Sequence, residues 1–320
     1  MKYTREQLEN MMAKARLLGK DIDQLNTKCG HAMYLLKDIL DGAAILYIPD
    51  DVETVEEEGL EHYYGGLKPT PSYCNIECET LMIYGGRNLR DASRMFYKCV
   101  AQSIDLSNFD TSKVTNMREM FAACEARLLD LRNFVTSQVT NMSIMFASCR
   151  ANSIDLSNFD TSNVIDMSQM FECCRAQVLD LSNFDTSNVT DLGRMFHECH
   201  AQSLDLSSFD TSNVTTMHGM FSHCAAESLD LSNFDTSSVT NMSAMFYYYA
   251  TESLDLSSFD TSKVTDMSSM FEGCAAQSLD LSSFDTSSVT DITDMSYMFR
   301  GCVADVKATD HKILDKLNRR

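Results

Sequence analysis

The chain has 320 residues, with 26 Lys and Arg against 46 Asp and Glu, giving a formal net charge of -20. That sign argues against nucleic acid and anionic membrane as partners, since both are held by basic patches. Apolar content of 44% is ample for folding, and no apolar run approaches the ~18 residues a membrane span needs, so neither disorder nor membrane insertion is expected.

In chain order, Met1 to Glu9 is charged and lacks the apolar core of a secretory signal, so classical export is not expected. Residues Thr4 to Leu18 read as a helix followed by Gly19, and Asp21 to Asp41 as a second helical stretch weakened by Gly30 and stopped by Gly42, making 1–44 an N-terminal helical segment. Residues 45–99 read as a cap. Within it Ile45 to Pro49 is a first strand, Asp50 to Glu61 and Gly65 to Pro71 are exposed loop, and Leu81 to Cys99 is an abbreviated coil whose turn is replaced by Gly85 and Gly86.

From 100 to 303 the sequence repeats every 25 residues, a period that marks stacked coils in which each copy buries its apolar face only against its neighbours. In the copy from Leu254 to Cys274, Leu254 and Leu256 alternate with polar residues as a short strand. An Asn or Ser follows at position 258 (Asn108, Asn158 and Asn183 in other copies), suited to bridging to the next coil's backbone. Phe259 turns inward, and Asp260-Thr261-Ser262 form a turn built on Asx and hydroxyl hydrogen bonds. Met267, Met270, Phe271 and Cys274 then fall at i, i+3, i+4 and i+7, which predicts a short helix capped by Thr265 or Asp266. The expected fold is therefore an α/β solenoid like the leucine-rich repeats, one parallel sheet face with short helices opposite. Residues 304–320 supply a closing strand, Ala304 to Ala308, and a terminal helix, Asp310 to Leu317.

The run Leu-Asp-Leu-Ser-Asn-Phe-Asp-Thr-Ser-Asn-Val-Thr-Asp-Met-Ser-x-Met-Phe-x-x-Cys, carried by Leu179 to Cys199, Leu229 to Phe246 and the other copies between Ile104 and Cys302, resembles the repeat of the BspA-like leucine-rich-repeat surface proteins. The resemblance covers roughly two thirds of the chain. It implies a non-catalytic adhesion protein that binds host matrix proteins, cells or other microbes, at the cell surface or secreted. With no signal-like stretch, membrane span or wall-anchor motif visible, a cytoplasmic location stays open.

Three columns carry the candidate chemistry. Cys99, Cys124, Cys149, Cys174, Cys199, Cys224 and Cys274 share one repeat position, with Tyr249 at the missing step. A column of equivalent neighbours defines no unique disulfide pairing, so buried free thiols are expected. Asp105, Asp130, Asp155, Asp180, Asp205, Asp230, Asp255 and Asp280 line the strand face as an acidic ladder. At ~4.8 Å spacing each pair repels by about 1 kcal/mol in water. The ladder should raise some of these pKa values, attract cations or a basic partner, or recruit serine hydroxyls. Lys307 takes its next step. The second acidic column, Asp110, Asp160, Asp185, Asp210, Asp235, Asp260 and Asp285, is broken by Val135 and reads as turn chemistry.

Differences among copies gather around His197, His200, His218, His223, Tyr247, Tyr248 and Tyr249, where the spacing sets Glu172 beside His197 and Glu198 beside His223. A tyrosine-rich partner-binding patch and tolerated surface drift both account for this cluster. Metal binding through His197, His200 and His223 has no short ligand motif behind it. No nucleophile elbow, phosphate-cradling loop or dinucleotide fingerprint is present, so no catalytic residue, resident metal or cofactor is expected. The function expected is a binding scaffold with a protein partner. An intracellular or phage-borne assembly module is the alternative, with a metal-binding protein behind both.

Overall fold

Residues one repeat apart lie side by side. Successive parallel bridges join Thr54, Asp91, Asn116, Asn141, Asp166, Asp191, Thr216, Asn241 and Asp266, so from Asp91 onward each copy is one coil laid on the last. The computed structural model describes residues 22–26, 32–40, 43–55, 71–251, 253–290 and 292–318, together with positions 6, 7, 10, 12 and 13, which are helical. The rest of the expected Thr4 to Leu18 helix, and residues 56–70 of the expected exposed loops, lie outside the described residues. The described part of the Asp50 to Glu61 loop corrects the expectation, because Val52, Thr54 and Val55 are buried in the first coil.

The apolar repeat positions become continuous files. Leu204, Leu206, Phe209, Val214, Met217, Met220, Phe221, Cys224 and Ala226 of one coil are all buried, as are their equivalents above and below. Phenylalanine rings stack along the axis, 5.9 Å apart at Phe196 and Phe221 and 5.8 Å at Phe246 and Phe271, with planes 7° and 6° apart. Burying each such ring contributes about 1.5–3 kcal/mol.

A six-stranded sheet opens the stack in the order β1 (Ile22–Asn26), β2 (Ala32–Leu40), β3 (Ala43–Ile48), β4 (Thr80–Gly85), β5 (Ser103–Phe109) and β6 (Leu128–Leu129). The first three strands are antiparallel and the remainder parallel. This corrects the expected helix over Asp21 to Asp41. Met33 and Leu35 join the main core while Leu36 joins a second cluster with Met12, Ile45, Tyr47 and Tyr84. A strand buried on both faces lacks polar alternation, and its apolar run cannot be told from a helix by periodicity.

The repeat helix is also corrected. Met267, Met270, Phe271 and Cys274 are buried as expected, but consecutive turns hold them. Met270 N–H donates to Met267 O at 3.2 Å and Cys274 N–H to Phe271 O at 3.1 Å. The intervening amides leave the coil altogether. Met242, Ala244, Phe246 and Tyr248 donate to Asp266, Ser268, Met270 and Glu272 of the next coil at 2.7–3.0 Å. With every second N–H committed sideways, no i→i−4 helical series can form. The chain turns through left-handed residues four apart, such as Ala244 (φ 55°) and Tyr248 (φ 48°). Asp266 caps the turn, not a helix, accepting Ser268 N–H at 2.9 Å.

The expected continuous parallel sheet is present only towards the two ends. Past β6 the Leu-x-Leu segments make isolated bridges, Leu129 to Ile154 and Val178 to Ser203. Side chains bind the coils there instead. Asn158, Asn183 and Asn233 donate to the carbonyls of Phe134, Phe159 and Phe209 in the preceding coil at 2.6–2.8 Å. A buried threonine does more. Thr186 Oγ1 donates to Asp210 O at 2.8 Å and accepts Asp210 N–H at 2.9 Å, so one hydroxyl satisfies both backbone groups of a residue in the next coil. Thr111, Thr136, Thr161, Thr236 and Thr261 repeat this double bond. Because the bond uses backbone, Val135 fits where other copies carry Asp.

The far end closes with β7 (Ser278–Leu281) paired in parallel to β8 (Asp305–Ala308), followed by helix α1 (His311–Leu317). Asp310 caps α1 by accepting from Lys312 N and Ile313 N, while its other oxygen takes the hydroxyl of Thr286 at 2.8 Å. Ile313 completes the core.

Replacing Thr186 by Val keeps the shape and removes the hydroxyl, leaving the amide and carbonyl of Asp210 without their partner. The expected loss is about 1–3 kcal/mol, read as a lower thermal midpoint and faster hydrogen exchange at the Asp210 amide. Thr186→Ser should retain most of the stability. A Val variant as stable as the parent would remove this ladder from the account of cohesion.

Candidate functional site

The acidic ladder is built from Asx turns. Asp155 and Asp180 each accept the N–H of the serine two residues on at 3.1 Å and its hydroxyl at 2.7 Å. These bonds favour the charged form and hold both carboxyls below the ordinary range, as serine bonds also do for Asp205, Asp230 and Asp255. Of the three expected ways to relieve this column, recruitment of serine hydroxyls is the one seen at these positions, and a raised pKa is not, because local donors outweigh neighbouring charge. Two positions carry cations. The Arg132 guanidinium, 2.6 Å from Asp130, brings that carboxyl down to about 2. Lys307 takes the next step as expected, lying opposite Asp280 across β7 and β8 at 2.7 Å, and lowers Asp280 to about 2. The second acidic column repeats the turn chemistry, with Ser162, Ser187 and Ser212 donating to Asp160, Asp185 and Asp210.

The cysteine column runs through the core as free thiols, with Cys99, Cys124, Cys149, Cys174, Cys199, Cys224 and Cys274 all buried. Burial pushes Cys149, Cys224 and Cys274 up to about 11 and Cys199 up to about 12, which suppresses the reactive thiolate. Tyr249 occupies the vacant step and is 0% exposed, its hydroxyl donating to Ala226 O at 2.9 Å. It belongs to the core and cannot meet a partner.

The other cluster residues divide. His223 stacks on Tyr248 with centroids 5.3 Å apart and planes 10° from parallel, while Tyr247 meets both edge-on at 5.2 and 4.7 Å. His197 joins edge-on to His223 at 6.2 Å. Its pKa is lowered, first by burial and then by the Arg194 charge, so the neutral imidazole is favoured. Glu172, expected beside His197, pairs with Arg194 at 2.8 Å, and Glu198 lies 3.5 Å from the His197 ring. Tyr248 is 50% exposed, and its ring covers Gly273, where any side chain would collide with it. His218 is held apart from the patch, packed over Gly193 with Nδ1 3.2 Å from Thr216 Oγ1. His200 lies in a separate groove with Arg150 and Arg175. Among the described residues no group of three or more His, Cys, Asp or Glu converges as a metal site, and no helix is long and apolar enough to cross a membrane.

Among protein-family models, the one described as Mycoplasma protein of unknown function, DUF285, matches residues 90–203, 173–252 and 221–312. The chain belongs to this family. No curated protein and no solved structure is matched. The three DUF285 windows overlap one another, as a repeat permits when one stretch can be aligned from more than one coil. They contain the stacked coils, both acidic columns and the His223 patch, whereas β1 to β4 lie before them. Within this DUF285 chain the patch was legible from the 25-residue spacing. The pairing of large rings with glycines one coil away is not among the sequence expectations, although Gly193 beneath His218 and Gly273 beyond Tyr248 each stand 25 residues from their ring in the same alignment of copies.

Asp280 has a folded-state pKa below its ordinary value, so its stabilising bonds are fully present above about 4 and fade as pH falls toward 2. A carboxyl titration by NMR should place its midpoint near 2 in the parent and move it upward in Lys307→Ala. An unchanged midpoint would show that the lysine pair does not hold the end of the ladder.

Proposed function

We propose that this chain is a non-catalytic binding scaffold, a solenoid of the leucine-rich-repeat kind, that captures a protein partner on the His223, Tyr247 and Tyr248 patch. The observation that carries the reading is the ordering of that patch. Three rings pack against one another on the surface, over a glycine that makes room for the outermost one. Tyrosine supplies large contact area with little entropy to lose, and such residues dominate binding energy at protein interfaces. Solvated surface drift gives no reason for a glycine to be matched to a ring in the neighbouring coil.

The setting proposed is adhesion or host interaction, supported by the resemblance of the repeat to the BspA-like surface proteins. A non-catalytic role is supported by the turn duty of the ladder carboxyls that are bonded to their own serines. Asp155, Asp180, Asp205, Asp230 and Asp255 all shift downward, whereas acid–base catalysis needs two carboxylates pushed apart.

The triple variant His223→Ala, Tyr247→Ala, Tyr248→Ala should fold with a near-parental thermal midpoint and lose partner capture by at least about tenfold, the scale of an interface hot spot. Capture is read on cells, matrix proteins and extracts from the natural setting. A folded triple variant that binds as the parent does would reject the patch.

A further inference from the structure

One surface groove of this acidic protein has the opposite sign. A cavity of about 590 Å³ runs across several coils and is lined by Lys98, Glu125, Arg150, Cys173, Arg175 and His200, among others. Arg150, Arg175 and His200 occupy one repeat position in three consecutive coils. Their amides donate to the carbonyls of Cys124, Cys149 and Cys174 at 3.0–3.2 Å, which fixes the three side chains as a file at the coil rise. The next members of the column are Ala225, Ala250 and Ala275, so the basic file stops where the groove stops. Arg150 pairs with Glu125 at 3.4 Å, both half-exposed. Arg175 is exposed and has no carboxylate partner among the described residues.

We propose that this groove binds an acidic peptide segment, laid along the stack with its carboxylates on Arg150, Arg175 and Lys98. The site borders the aromatic patch, since Glu198 lies 3.5 Å from both Cys173 of the groove and the His197 ring, but none of the patch rings lines it. The span from the coil of Lys98 to that of His200 is four coil steps, or about 19 Å, which an extended peptide covers in about six residues. Guanidinium groups pair with carboxylates in two-pronged geometry, and an unpaired one gains most. A compact phosphate site instead gathers free backbone N–H groups around one anion. The amides of Arg150, Arg175 and His200 are all committed between coils, and the cations are strung in a line, which suits charges distributed along a chain. The carboxylates that touch the groove are Glu125, paired with Arg150, and Glu198, 3.5 Å from the Cys173 thiol, which leaves Arg175 as the cation open to a ligand. Those of the acidic ladder are engaged in Asx turns on the Leu-x-Leu segments.

Fluorescein-labelled hexaglutamate, with hexaglutamine as the neutral control, tests this by anisotropy on the intact chain at physiological salt. Hexaglutamate should bind and hexaglutamine should not. Arg150→Glu with Arg175→Glu should weaken binding by at least about tenfold, as reversing paired charges does, and Arg150→Gln with Arg175→Gln serves if the reversed variant fails to fold. Tyr247→Ala with Tyr248→Ala should leave hexaglutamate binding unchanged, which separates this groove from the aromatic patch. Equal binding of the two peptides, or binding indifferent to both arginine variants, would overturn the proposal. Tripolyphosphate binding more tightly than hexaglutamate would assign the groove to phosphate and overturn it as well.

Discussion

Cohesion in the middle of this molecule rests on a buried threonine hydroxyl used in both directions. Each of Thr111, Thr136, Thr161, Thr186, Thr236 and Thr261 donates to a carbonyl and accepts from the amide of the same residue one coil away. In a low-dielectric interior such bonds are electrostatically stronger than in water, and losing one partner leaves the other stranded. The interaction adds to the backbone bonds that Met242, Ala244, Phe246 and Tyr248 make to the next coil, and it persists where the strand ladder of β3 to β6 gives way to isolated bridges. It also frees the outward side chain at the bonded residue, so Asp or Val can stand there without disturbing the stack. Surface chemistry and internal cohesion are thereby decoupled.

Much of this was legible in the sequence. The period predicted which residues stack, and Leu206, Phe221 and Cys224 are buried in files as the spacing requires. The repeat helix was not legible, because i, i+3, i+4 and i+7 describe one face of a helix and equally the inner corners of consecutive tight turns. What separates the two is the sign of φ at positions such as Ala244 and Tyr248, and neither residue advertises it, since turns of this kind ordinarily call for glycine. The antiparallel β1 and β2 were hidden for a different reason, their apolar residues being needed on both faces. Tyr249 was misassigned despite an available signal. Its place in the cysteine column already put it inside, and its membership in a tyrosine triplet drew it out.

The aromatic patch shows how such a scaffold acquires individuality. Two large rings, His218 and Tyr248, each lie over a glycine in an adjacent coil, so exchanges at neighbouring coils are matched in size. The basic groove arises from the same freedom, by three substitutions in one column whose later members are alanine. Neither feature touches the apolar files, and both lie on turn and return segments, where the amides serve the next coil and the side chains are left to vary.

The carboxylate of Asp310 has a double attachment. One oxygen starts α1 and the other receives the hydroxyl that would otherwise seek the backbone of a further coil. It therefore imitates a missing neighbour, and any coil ending in the same threonine could meet it. A chain with one 25-residue unit more or fewer would present the same threonine hydroxyl to Asp310 and close in the same way.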